Sequence, residues 1–197
     1  ADHRIGYHFI YPGCGYGGSC FPKDVKALAR VAQEHGIDPL VLNAVEARNV
    51  RQKQILFTKL KLIFDSDLAG KVIAVWGLAF KPGTDDVREA PALHLVRALL
   101  DAGAVVIAHD PVATNAFKTE VGPPYLQTGR LRFCEDQFTA LDGADALVLV
   151  TEWKQYRQPD FEAMKLRLKA PVMIDGRNQY DGKRLRNQGW IYSGIGY

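Results

Sequence analysis

Val72–Pro111 reads VIAVWGLAFKPGTDDVREAPALHLVRALLDAGAVVIAHDP, and the reading of this stretch decides the fold. VIAVWG (72–77) is a continuous apolar run, the pattern of a strand buried on both faces. A polar turn holding Pro82 and Gly83 separates it from APALHLVRALLDAG (90–103), where Leu93, Val96, Leu99 and Leu100 repeat at helical spacing and Gly103 ends the helix. AVVIAHDP (104–111) then returns to strand character. Strand, helix and strand in this order form a unit whose two strands lie parallel.

The rhythm continues downstream. LRFCE (131–135), ALVLVT (146–151) and PVMIDG (171–176) read as further strands, with helices fitting near 112–120, 136–142 and 160–168. Residues 71–197 therefore read as an α/β domain built on a parallel Rossmann-like sheet with helices on both faces. Such sheets bind ligands beyond the carboxyl ends of their strands, which here carry Gly77–Arg88, Asp110, Thr151–Glu152 and Asp175–Arg177.

Upstream the period is helical. Residues 37–67 read as one long helix, with Asp38 as its cap and Pro39 in its first turn. Val41, Leu42 and Val45 form one apolar face, and Leu56, Leu60 and Ile63 another. A helix of this length spans about 40 Å. It cannot bury both faces in a small domain and should bridge domains or subunits. Residues 1–36 hold a glycine-rich loop and a short helix, where Pro22 can sit in the first turn, Val25, Leu28, Ala29 and Ala32 repeat, and Gly36 ends the helix. Residues 1–67 together form a helical segment preceding the sheet domain.

Composition narrows the partners. A net charge of +3 without basic runs argues against nucleic acid, and no apolar run is long enough to span a membrane. The start ADHRIGYHF has no apolar signal core, which points to the cytoplasm. Three cysteines make no disulfide framework, and none has zinc-ligand spacing, so no metal is expected. His8, His35, His94 and His109 likewise show no ligand spacing.

Gly13-Cys14-Gly15-Tyr16-Gly17-Gly18-Ser19-Cys20-Phe21-Pro22-Lys23-Asp24 carries the first candidate chemistry. It contains GxGxxG but is followed by two helices rather than by helix and strand, so it is not a dinucleotide fingerprint. Cys20 stands just outside a helix N-terminus, where backbone N–H groups and the helix dipole favour an anion. Lys23 adds positive charge, and Asp24 lies in the first turn, able to position or deprotonate a water. Cys14 is either inert or able to oxidise with Cys20, and Cys134 reads as strand core. The second candidate is Gly77–Arg88, whose Lys81 and Arg88 suit phosphates and sugar hydroxyls.

These residues carry a resemblance. DHRIGYHFIYPGCGYGGSCFPKDVKAL (2–28) resembles the active-site segment of the UDP-glucose/GDP-mannose dehydrogenase family. GLAFKPGTDDVREAP (77–91) resembles that family's nucleotide-sugar segment, and Asp175-Gly176-Arg177-Asn178 its late DGR element. The resemblance implies NAD-dependent oxidation of a sugar C6 alcohol to a carboxylate in two steps, with Cys20 as nucleophile and Asp24 assisting water and proton transfer. It places Phe9, Tyr11, Gly13 and Gly17 in a loop wrapping the sugar and diphosphate, and Phe80, Lys81 and Arg177 on the nucleotide sugar. Ser19, Lys23 and Arg88 would border the NAD cofactor, and Arg4 would reach the substrate of a neighbouring subunit. It also implies a homodimer through the long helix.

Tyr16 and the run Phe21–Asp24 look more like the UDP-glucose branch than the GDP-mannose or UDP-N-acetylmannosamine branches. In that family an N-terminal NAD domain would precede Ala1, so the chain is expected to be a fragment without dehydrogenase activity alone. A non-catalytic nucleotide-sugar binding module is the competing reading.

Overall fold

The computed structural model describes residues 2, 6 and 10–196. Six strands form one sheet: β1 (Val72–Trp76), β2 (Val105–His109), β3 (Leu131–Phe133), β4 (Ala146–Leu149), β5 (Val172–Asp175) and β6 (Ile191–Ser193). Their order is β3-β2-β1-β4-β5-β6, and every pairing is parallel. The order reverses between β1 and β4, whose registers set Ile73 beside Ala146 and Trp76 beside Leu149.

Strand alternation divides the core into two layers. Ile73, Val75, Val106, Val148 and Ile174 face one side with α4 (Pro91–Asp101) and α5 (Thr114–Val121). Ala74, Trp76, Leu147, Leu149 and Met173 face the other, against α7 (Phe161–Arg167) and α8 (Gly182–Asn187). Both faces are covered, which is why the strands carry uninterrupted apolar runs. The short α6 (Pro123–Leu126) follows α5.

The helical segment comprises α1 (Phe21–Glu34), α2 (Leu40–Lys53) and α3 (Ile55–Ile63). The single long helix expected over 37–67 is two helices. At Gln54 the backbone tightens, with φ −90° and ψ −10°, and its N–H turns to Arg51 O at 3.2 Å. That three-residue step replaces one i−4 bond. Asp38 does not cap, since α2 begins after Pro39 without a side-chain cap bond. The two apolar faces are real but unequal: Leu56 and Leu60 are fully buried, whereas Val41 is 75% and Val45 38% exposed.

Other expectations also change. The helix foreseen over 136–142 is a single 3-10 turn, Thr139–Leu141. Asp136 accepts from Thr139 N at its start, and Gly143 takes φ +69° just beyond. The strand β6 and the helix α8 were not foreseen; α8 is capped by Asp181 through Arg184 N.

Candidate active site

The carboxyl ends of β1, β4 and β5 converge where the strand order reverses. After β1 the chain turns sharply because Asp110, at the end of β2, accepts hydrogen bonds from Leu78 N, Ala79 N and Trp153 Nε1 at 2.7, 3.1 and 3.0 Å. Beyond β5, Asp175 takes Arg177 N, Gln179 N, Tyr180 N and the Tyr192 hydroxyl. Burial still pushes its carboxyl above the ordinary range. These two carboxylates spend their acceptor oxygens on shaping the backbone.

Arg177 is aimed by that turn. Its Nε donates to Val150 O at 2.8 Å and its Nη2 to Phe80 O at 3.4 Å, so it joins the ends of β1, β4 and β5. Glu152 Oε2 lies 3.1 Å from Arg177 Nε, yet this buried oxygen accepts no hydrogen bond among the described residues. Nε points at Val150 O instead, so the pair is Coulombic and Glu152 keeps a free acceptor. Phe80 is half-buried, and the exposed Lys81 hangs its ammonium 5.3 Å from the Phe80 ring.

The loop Gly13–Gly18 lies between these strand ends and α2. A helix face does the holding. Asn49 exchanges bonds with Tyr16 N and Tyr16 O at 2.9 and 3.2 Å, and Gln52 Nε2 donates to Gly13 O at 2.6 Å. The Tyr16 hydroxyl donates to Glu46, and burial with that carboxylate raises its pKa. Glu46, Asn49, Gln52 and Lys53 fall at helical spacing, a polar face that in sequence looks solvated. On the opposite side Gly18 N donates to Arg88 O at 2.7 Å. A Cβ on Gly17 would stand 2.4 Å from Glu89 O, so this glycine answers to backbone packing.

Cys14 is fully buried, with its thiol toward Val150 O at 3.7 Å, and burial pushes its pKa up. It is an inert plug beneath the loop, and all three cysteines are free. Cys134 is half-buried at the end of β3, where burial likewise raises its thiol pKa.

Cys20 is exposed and immediately precedes α1. Its carbonyl accepts Asp24 N at 2.8 Å, and its sulfur is 3.6 Å from Ser19 Oγ. Asp24 therefore lies one turn along the same face. Lys23 and Asp24 are exposed and 3.3 Å apart. Arg88 forks onto Asp86 at 2.9 and 2.8 Å, which holds the Asp86 carboxyl below its usual range. The Arg88 carbonyl accepts from Gly18 N, two residues before Cys20.

The structure thus gathers Gly13 with Arg177, Gly17 and Gly18 with the Phe80–Glu89 segment, and Cys20 with Ser19 and Arg88. Tyr11, Gly13, Tyr16, Val45 and Arg177 line one cavity of about 670 Å³ beside α2. Arg4, Phe9 and His8 lie outside the described residues. Among the described residues no cluster of His, Cys, Asp or Glu could hold a metal, and no helix is long and apolar enough to cross a membrane.

A family model for the UDP-glucose/GDP-mannose dehydrogenase family, UDP binding domain, matches residues 74–182. The model for the central domain of that family matches residues 1–51. A UDP-glucose 6-dehydrogenase of Pseudomonas aeruginosa is 55% identical over 196 residues, covering 100% of this chain and 43% of the relative. One from Rhizobium meliloti is 41% identical, covering 99% and 43%. The solved UDP-glucose dehydrogenase of the archaeon Pyrobaculum islandicum superposes with a TM-score of 0.81 at 34% identity, over 100% of this chain and 41% of that one. A GDP-mannose dehydrogenase from Pseudomonas aeruginosa gives 0.71 at 26% identity, over 100% and 43%. The chain therefore spans less than half the length of these relatives.

Proposed function

The chain belongs to the UDP-glucose/GDP-mannose dehydrogenase family, and on that premise we propose that it supplies the nucleophile and the nucleotide-sugar cleft of a UDP-glucose 6-dehydrogenase. The reaction is the NAD-dependent oxidation of UDP-glucose to UDP-glucuronate. The observation that carries this reading is the placement of an exposed Cys20 at a helix N-terminus, on a loop seated directly against the Phe80–Glu89 segment at the sheet's switch point.

In this reading the Cys20 thiolate adds to the C6 aldehyde, forming a C–S bond as a thiohemiacetal, and afterwards holds the acyl group as a thioester. Asp24, one turn along, holds the water that cleaves that bond, releasing the carboxylate and returning the thiol. Arg177 and Phe80 seat the nucleotide sugar. Lys81, Tyr11, Gly13 and Gly17 border the same ligand. NAD would supply the oxidant, two molecules in turn each taking one hydride. Exposed Lys23 and Arg88 flanking Cys20 suit its diphosphate, with Ser19 beside them. We place the protein in the cytoplasm, where unpaired thiols persist.

Calorimetry and thiol labelling test the assignment. Brief iodoacetamide treatment at neutral pH should alkylate Cys20 well before Cys134, and UDP-glucose should bind more tightly than GDP-mannose. Preferential labelling of Cys134, or equal affinity for both nucleotides, overturns it.

We also infer a homodimer through α2. Leu40, Val41 and Val45 are 69%, 75% and 38% exposed, and burying each is worth about 1.5–3 kcal/mol.

A further inference from the structure

Four non-glycine residues among those described have positive φ: Asp65, Ser66, Glu89 and Asn178. Asp65, Ser66 and Asn178 are short polar residues in turns, for which the left-handed region is ordinary. Glu89, at φ +55°, is not. A long side chain held there must be fixed by its surroundings, and such strain gathers at functional sites. Its surroundings are unusual. Lys53, only 4% exposed, donates to Glu89 Oε2 at 2.7 Å from α2. Lys26 reaches the other oxygen at 3.7 Å from α1, and His94 stands 3.9 Å away on α4. The two lysines hold the Glu89 carboxyl below its usual range, with the Lys53 bond foremost, while burial pushes the His94 pKa down.

The backbone of the same residue is the seat of the cysteine loop. Gly17 rests on Glu89 O, and Gly18 N donates to the preceding carbonyl, Arg88 O. Lys53 meanwhile packs its stem against Gly15, where a Cβ would sit 2.9 Å from Lys53 Cγ. One ion pair, between buried Lys53 and exposed Glu89, thus grips the loop from both sides.

We propose that Glu89, latched by Lys53, is the positioning residue that sets the Cys20 loop against the sheet edge. The inference rests on the reading of Cys20 as nucleophile. Neither residue touches the reacting atoms; each acts through the loop backbone.

Hydrogen exchange by mass spectrometry on the full chain tests it, with Cys20 alkylation measured in parallel. Lys53→Met and Glu89→Gln should each speed exchange in the segment 14–20 by roughly tenfold, and slow Cys20 alkylation as the loop loses its fixed placement at the start of α1. Lys53→Arg should restore both. The double variant Lys53→Met/Glu89→Gly is the sharper probe. It leaves no orphaned buried charge and relieves the backbone strain, so its melting temperature should hold or rise while the loop still loosens. Unchanged exchange over 14–20 in that variant overturns the latch, as does equal loss of protection across β1 and β4. Slow Cys20 alkylation in the unaltered chain strikes the nucleophile reading alone, and the exchange data still judge the latch.

Discussion

The two halves of the site are built oppositely. On the sheet side, Arg177 is tied to Val150 O and Phe80 O, and Asp175 beneath it takes four hydrogen bonds. On the helix side, Cys20, Lys23 and Asp24 are exposed and make few bonds beyond their own turn. Cys14 and Cys20 display the contrast within a few residues, one at 0% exposure and the other in solvent. The lesson is a division of labour. On the proposed reading, the group that recognises the ligand is over-determined, while the nucleophile that must meet a changing substrate is presented on a helix end and left open.

Breaking the sheet side should cost most. Asp175→Ala orphans three backbone N–H groups and removes one acceptor of the Tyr192 hydroxyl, so urea unfolding should show a loss of about 4 kcal/mol. Arg177→Ala leaves Asp175 satisfied, and its main effect should appear in ligand affinity. Calorimetry should record UDP-glucose binding weakened roughly tenfold or more, and Lys81→Ala should weaken it less, because Lys81 is exposed and mobile in comparison. On the helix side, Val45→Asp should turn a dimer into a monomer by light scattering while changing monomer stability by under ~0.5 kcal/mol. The smallest effect belongs to Cys20→Ser. Its urea midpoint should match the parent within error, while iodoacetamide incorporation into the folded protein collapses; Cys14 should label only after unfolding.

Much of the frame was legible in residues 72–111, because a doubly buried strand has no polar alternation to hide it. Gly13–Asp24 announced the exposed cysteine for a similar reason: few folds require so many glycines before a helix. What escaped were features set by tertiary context. The polar face Glu46, Asn49, Gln52 and Lys53 looks like a solvated helix surface until the loop is laid against it. Cys14 differs from Cys20 only in what covers it. The break at Gln54 leaves no proline or glycine as a marker. β6, three residues long, is below the length at which period-two alternation can be read.

That brevity has a consequence of its own. The sheet ends on β3 and β6, each three residues long, and an outer strand so short offers almost no ladder for a foreign strand to extend. Growth of the sheet from chain to chain, the route to fibres and precipitates, is closed at both borders. The proposed pairing through α2 would bypass both borders, meeting a second copy by side chains alone.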